Sequence, residues 1–166
     1  AKGDGSGAQT WAGKAGRLKR VFNDTWYDAA AGRYLVGFDH PGYGPVNAFG
    51  YETSWFIPYT GLCEPGPRAM AYLEFIHERF QARPSPNIEA WTFLPDVFYA
   101  WNQDDRGWQY FKHVLNSRSG YPEVSFTVIS HLATRILGIE PDAPGRSVTT
   151  LGRLPAEVAW VQLVMG

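Results

Sequence analysis

The chain has 166 residues, 45% hydrophobic and 19% charged, a composition that excludes a disordered tail and suffices for a single domain with a real core. Its 15 basic and 16 acidic residues leave a net charge of −1 without runs of like sign, which removes the electrostatic footprint of a nucleic-acid binder. No stretch approaches about eighteen consecutive apolar residues, and the first ten, AKGDGSGAQT, lack the basic start and apolar middle of a signal peptide.

Residues 1–10 read as a flexible, Gly-rich lead-in. The GDGSG run within it is no phosphate loop, because no apolar strand precedes it and no G-K-[ST] follows. From Trp11 the spacing of Ala15, Leu18, Val21 and Phe22 predicts an amphipathic helix. Tyr34 to Phe38 is a short extended run, followed by an irregular loop, Asp39-His40-Pro41-Gly42-Tyr43-Gly44-Pro45. A helix apolar nearly all round is expected over about 50–62, and an amphipathic one from Pro67, with Met70, Leu73, Ile76 and Phe80 on one face. A second all-round apolar helix is expected from Ile88 to Trp101, then an amphipathic helix with Asp104 as its N-cap. The last helix opens at Pro122, runs through Ile136 and stops at Gly138. Two β-like runs, 147–151 and 158–165, suggest a hairpin. The expected organisation is therefore a lead-in 1–10, an all-α helical-hairpin array 11–146 and a β-hairpin tail 147–166.

Outer amphipathic helices alternate with inner apolar ones, and an internal repeat supports the alternation. Glu52-Thr-Ser-Trp-Phe-Ile-Pro58 and Glu89-Ala-Trp-Thr-Phe-Leu-Pro95 share E-x-x-x-F-[IL]-P, 37 residues apart, and Glu123 follows 34 residues later. Each proline opens or kinks its helix, because it has no N–H to give the preceding turn. In such an array the N-terminal ends of the inner helices share one mouth. Glu52, Glu89 and Glu123 are candidate catalytic acids there. Asp39, His40, Tyr43, Tyr51, Trp55, Trp91 and Tyr121 are candidate substrate contacts, in a chain with 16% aromatic residues. Two carboxylates beside ring faces suit glycosidic hydrolysis, one acid protonating the leaving oxygen and the other activating water or attacking. The ordinary alternative is a glutamate that caps a helix or complements its dipole.

The other polar groups carry less. His131, inside an apolar helix, reads as a core histidine, and His77 and His113 lie on outer helices. The absence of H-x-x-x-H and C-x-x-C spacings argues against a metal site, and no cofactor is expected. Asp96 either points into the cleft or caps a turn. Cys63 sits at the far end of its helix and has no partner for a disulfide, which favours the cytoplasm with secretion as the alternative. Asn23-Asp24-Thr25 matches a glycosylation sequon, uninformative without a secretory route.

Three segments resemble a known fold family. Phe22-Asn-Asp-Thr-Trp26-Tyr-Asp28 followed by Gly32-Arg-Tyr34, Trp55-Phe-Ile-Pro-Tyr-Thr-Gly-Leu62, and Leu137-Gly-Ile-Glu-Pro141 with the β tail are similar to patterns of six-hairpin (α/α)6 toroid proteins. That clan includes inverting glycoside hydrolases and sugar epimerases. The resemblance implies carbohydrate chemistry in a central cleft, with acid and base among Glu52, Glu89 and Glu123. It also implies that three inner helices form the C-terminal half of a ring, completed by a missing N-terminal half, a second copy or another chain. Two rival readings stay open. One is an epimerase that uses His40 or His131 for proton transfer, and the other is a non-catalytic carbohydrate-binding or scaffold module.

Overall fold

In the computed structural model, which describes residues 5–35, 37–38, 45–46, 51–162 and 164, the chain is mainly α-helical and divides into two compact units, 1–84 and 85–166. The expected sites Asp39, His40 and Tyr43 lie outside the described residues. The side chains of Tyr51 and Glu52 are likewise outside them, although the backbone places both on a helix.

In the first unit, helix α1 (Gly5–Thr25) starts six residues before Trp11, because nothing in the Gly-rich lead-in beyond residue 4 forbids helical geometry. Its apolar stripe is uncovered: Trp11, Leu18 and Val21 are exposed, and Asn23 alone is buried. Asn23 ties the end of the helix to the next segments. Its amide donates to the carbonyls of Lys19 and Leu62, both at 2.8 Å, and its oxygen accepts from the Tyr34 hydroxyl and from the Glu64 amide. The motif that ends α1 forms a small hairpin, β1 (Tyr27–Asp28) with β2 (Arg33–Tyr34), in which the Asp28 carboxylate receives the amides of Ala30 and Ala31. A second two-residue pair, β3 (Gly37–Phe38) with β4 (Pro45–Val46), follows.

Helix α2 (Tyr51–Tyr59) contains Pro58. A residue with an N–H at that position would bond the Ser54 carbonyl, four residues earlier. Here the Tyr72 hydroxyl donates to that carbonyl instead, at 2.9 Å, from the fully buried face of α3 (Pro67–Ala82). Helix α3 opens at Pro67 as expected and buries Ala69, Tyr72, Leu73, Ile76 and Phe80, a stripe at three- and four-residue steps. Met70 falls off that stripe and is exposed.

The second unit differs from the expected single helix over Ile88 to Trp101. A 3-10 turn (Ile88–Trp91) is followed by helix α4 (Leu94–Ala100), with Pro95 in its first turn, where a missing N–H is harmless. Helix α4 is buried from Leu94 through Tyr99. It packs on α5 (Asp104–Asn116), which turns Gly107, Tyr110, Phe111 and Val114 inward. The Phe98 and Tyr110 rings stack at 5.0 Å. Asp104 is the first residue of α5, not its cap; Gln103 occupies the cap position and Asp104 bonds Arg153 at 3.1 Å.

Helix α6 (Pro122–His131) passes into a π-helical turn (Leu132–Ile136), and Gly138, at φ 62°, ends the run. A Cβ at Gly138 would stand 2.0 Å from the Leu151 carbonyl oxygen, so only glycine fits. Contrary to the expected inner helix, α6 is not buried all round: Phe126 and Ile129 are 71% and 65% exposed. The C-terminal hairpin exists, but it pairs β5 (Ile139–Asp142) with β6 (Ser147–Thr150). Its turn precedes Ser147, where Asp142 accepts the Gly145 amide at 3.0 Å, so the run at 147 folds backward and residues 158–162 form no strand. Among the described residues no helix is long and apolar enough to cross a membrane.

Three substitutions test this packing. Tyr72→Phe takes the hydroxyl from the Ser54 carbonyl and is expected to destabilise the chain by about 1–3 kcal/mol in urea melts. Pro58→Ala, which restores a donor, is expected to shrink that loss when the two are combined. Gly107→Ala puts a Cβ 2.6 Å from the buried Tyr99 ring. The gain in helix propensity of about 1 kcal/mol is smaller than the overpacking cost of about 1–3 kcal/mol, so a lower melting temperature is expected.

Candidate active site

The second unit brings together two of the three repeated glutamates. Glu89 lies in the 3-10 turn, where Asn87 holds it from both sides: the Glu89 amide donates to Asn87 Oδ1 and Asn87 Nδ2 donates to Glu89 Oε2, each at 3.2 Å. Glu123 lies in the first turn of α6, immediately after Pro122. Tyr121 connects them. Its backbone is extended and its amide donates to Ser119 Oγ at 3.2 Å. The charge of Glu89, and after it that of Glu123, opposes ionisation of the phenol and holds its pKa above the ordinary value. Tyr121 therefore keeps its proton beside the two acids, with 41% of its surface open to solvent.

Trp91 is elsewhere. Its ring is only 5% exposed, packed 4.0 Å from His113 and 6.0 Å from Tyr110, and its indole N–H donates to the Ser85 carbonyl at 3.0 Å. It anchors the Ser85–Asn87 loop from below and offers no free ring face, because helix α5 covers it. Trp55 lies in the first unit, half-buried and edge-on to Tyr59 at 6.0 Å. Asn87 escaped the sequence reading, although a polar residue two positions before Glu89, at the start of a turn, is the usual signature of an N-cap.

A second polar cluster is closed. Asp96, 7% exposed, accepts from Arg135 Nε at 2.7 Å, and its other oxygen lies 3.3 Å from Nδ1 of His131, which has no exposed surface. Arg135 stands four residues after His131, so both face Asp96 from one side of the helix, a spacing that the sequence shows but that was not singled out. Burial drives the His131 pKa down to about 4, partly opposed by Asp96 and reinforced by Arg135. The imidazole is thus neutral, and Arg135 is the charge that balances Asp96. A histidine without open surface cannot exchange a proton with a substrate. Cys63 is similarly inert, since burial pushes its thiol up to about 12. Among the described residues no three His, Cys, Asp or Glu side chains are grouped to hold a metal ion.

The buried histidine makes stability pH-dependent. Its folded pKa lies below the ordinary 6.5, so the unfolded chain takes the proton first; the contribution is complete above pH 6.5 and is lost as pH falls towards 4. The loss amounts to about 3 kcal/mol. In urea melts over that window, His131→Gln is expected to be less pH-dependent than the native chain by about this amount.

No family model, curated protein or solved structure matches this chain, so the chemistry of the Glu89–Tyr121–Glu123 cluster rests on its own residues.

Proposed function

We propose that the chain is glycoside hydrolase-like, or part of such an enzyme, and acts on a carbohydrate through the carboxyl pair Glu89 and Glu123. The observation that carries the reading is the Tyr121 phenol, whose ionisation is opposed by the charges of both Glu89 and Glu123. Two acids 34 residues apart in sequence act on one phenol at the exposed end of the unit. In this reading one carboxyl protonates the leaving glycosidic oxygen, and the other, ionised, activates water or attacks the sugar. Asn87 Nδ2 holds Oε2 of Glu89 and prevents the side chain from rotating away. Glu52 is the third acid of the repeat. Trp91 supports the loop that carries Glu89. The ring that would enclose the substrate is completed by another polypeptide segment, and the single cysteine fits a cytoplasmic setting.

The test is a panel of chromogenic glycosides with single variants. Glu89→Gln and Glu123→Gln are each expected to lower kcat by about 10²–10⁴-fold with little change in KM. Tyr121→Phe is expected to cost less and to move the acid limb of the pH profile. Turnover that survives both glutamine variants would overturn the proposal. So would a native chain that binds sugars and hydrolyses none, which is the behaviour of a binding module.

A further inference from the structure

Helix α1 is held to its own unit at one end. Phe22 stacks on Trp26 at 5.4 Å and on Tyr34 at 5.3 Å, and Asn23 next to it is buried. Every residue from Ala8 to Ala15 is exposed, so over two turns no face of the helix is covered among the described residues. Gly13 and Gly16 lie in its interior, where glycine is the weakest helix former after proline. A helix of this composition gains little from its own backbone; helical stability comes mainly from covering an apolar face.

Such a face is present. Ala8, Trp11, Ala15, Leu18 and Phe22 recur at three- and four-residue steps, with Val21 beside Leu18. Trp11 and Leu18 are 69% and 66% exposed. The charges around the stripe are of one sign. Four cations, Lys14, Arg17, Lys19 and Arg20, stand against a single acid, Asp24 in the last turn, although the whole chain carries a net charge of −1. At 3.6 residues per turn, Lys14 and Arg17 border the stripe on the Val21 side and Lys19 on the Ala15 side, whereas Arg20 falls on the opposite face. Lys14 leans over the stripe itself, its ammonium 4.4 Å from the centre of the Trp11 ring.

We propose that α1 docks on an anionic phospholipid surface, lying in the headgroup plane with its apolar stripe at the acyl boundary. Cations on both edges of an apolar stripe complement a layer of anionic headgroups above a hydrocarbon phase. A protein groove that received the same stripe would enclose Lys14 and need an acid for the cation at each border. On a bilayer the lysine and arginine stems run along the acyl boundary while their charged heads stay at headgroup level. Trp11 fits that depth, since tryptophan concentrates at the interface. The helix is not apolar enough to cross the membrane, so the contact is peripheral. The proposal rests on α1 alone and is independent of the carboxyl pair in the second unit.

Flotation with vesicles of phosphatidylcholine, with and without phosphatidylserine, tests the docking, and hydrogen exchange read by mass spectrometry locates it. The native chain is expected to float with the anionic vesicles only, less so as salt rises, with new amide protection confined to residues 8–21. Lys14→Gln, Arg17→Gln and Lys19→Gln combined are expected to weaken binding by about 100-fold, whereas Arg20→Gln alone changes it by about twofold or less. Leu18→Gln, at an exposed position and checked for native circular dichroism, is expected to weaken binding by about tenfold. A native chain that floats with neither vesicle overturns the proposal. So does binding that Leu18→Gln leaves unchanged or that Arg20→Gln weakens as much as Lys14→Gln, since charge alone would then account for it. Protection of residues 8–21 in the chain without vesicles also overturns it, because the stripe would already be covered by protein.

Discussion

Short helices end near proline and glycine, and side chains from other parts of the chain reach across to the main-chain carbonyls at and beside these breaks. The Tyr72 hydroxyl supplies the Ser54 carbonyl four residues before Pro58. Asn23 supplies the Leu62 carbonyl, Arg68 the Asn23 carbonyl, Arg153 the Tyr99 carbonyl and Trp91 the Ser85 carbonyl. Each of these bonds joins residues from different elements, and four of the five span from 18 to 54 positions. An unsatisfied buried carbonyl costs more than a surface bond returns, so these contacts hold the breaks in place rather than merely decorate them.

Charge is distributed by the same logic of solvent access. Asp96 is nearly buried and tolerable there because Arg135 neutralises it, while His131 beside it stays uncharged. Glu89 and Glu123 sit at a helix end and a turn, where water and the helix dipole accept negative charge. The closed cluster is shielded from water, whereas Tyr121 beside the two glutamates is open to it. Their difference follows from position along the helices: Asp96 falls in the buried α4, whereas both glutamates precede the buried turns.

Apolar surface is distributed unevenly too. Helix α4 is enclosed over six consecutive residues, yet α1 and α6 each leave a row of large side chains in water. Scattered exposed leucines are ordinary, but rows aligned on single helix faces are the pattern of surfaces that associate.

Much of this was legible in the sequence. Pro67 and Pro122 mark helix starts and Gly138 a helix end, because each depends on local dihedral or hydrogen-bonding preferences. The repeated glutamates were visible as spacing, and so was the core character of His131. What spacing could not show was which partners the fold selects. Trp91 looked like a binding platform and turned inward under α5, Asp142 redirected the β run at 147 to the strand before it, and α6 kept an open face that periodicity alone assigns to the core. Periodicity states that a face is apolar. Only the tertiary structure decides what covers it, because burial depends on neighbours supplied by distant parts of the chain.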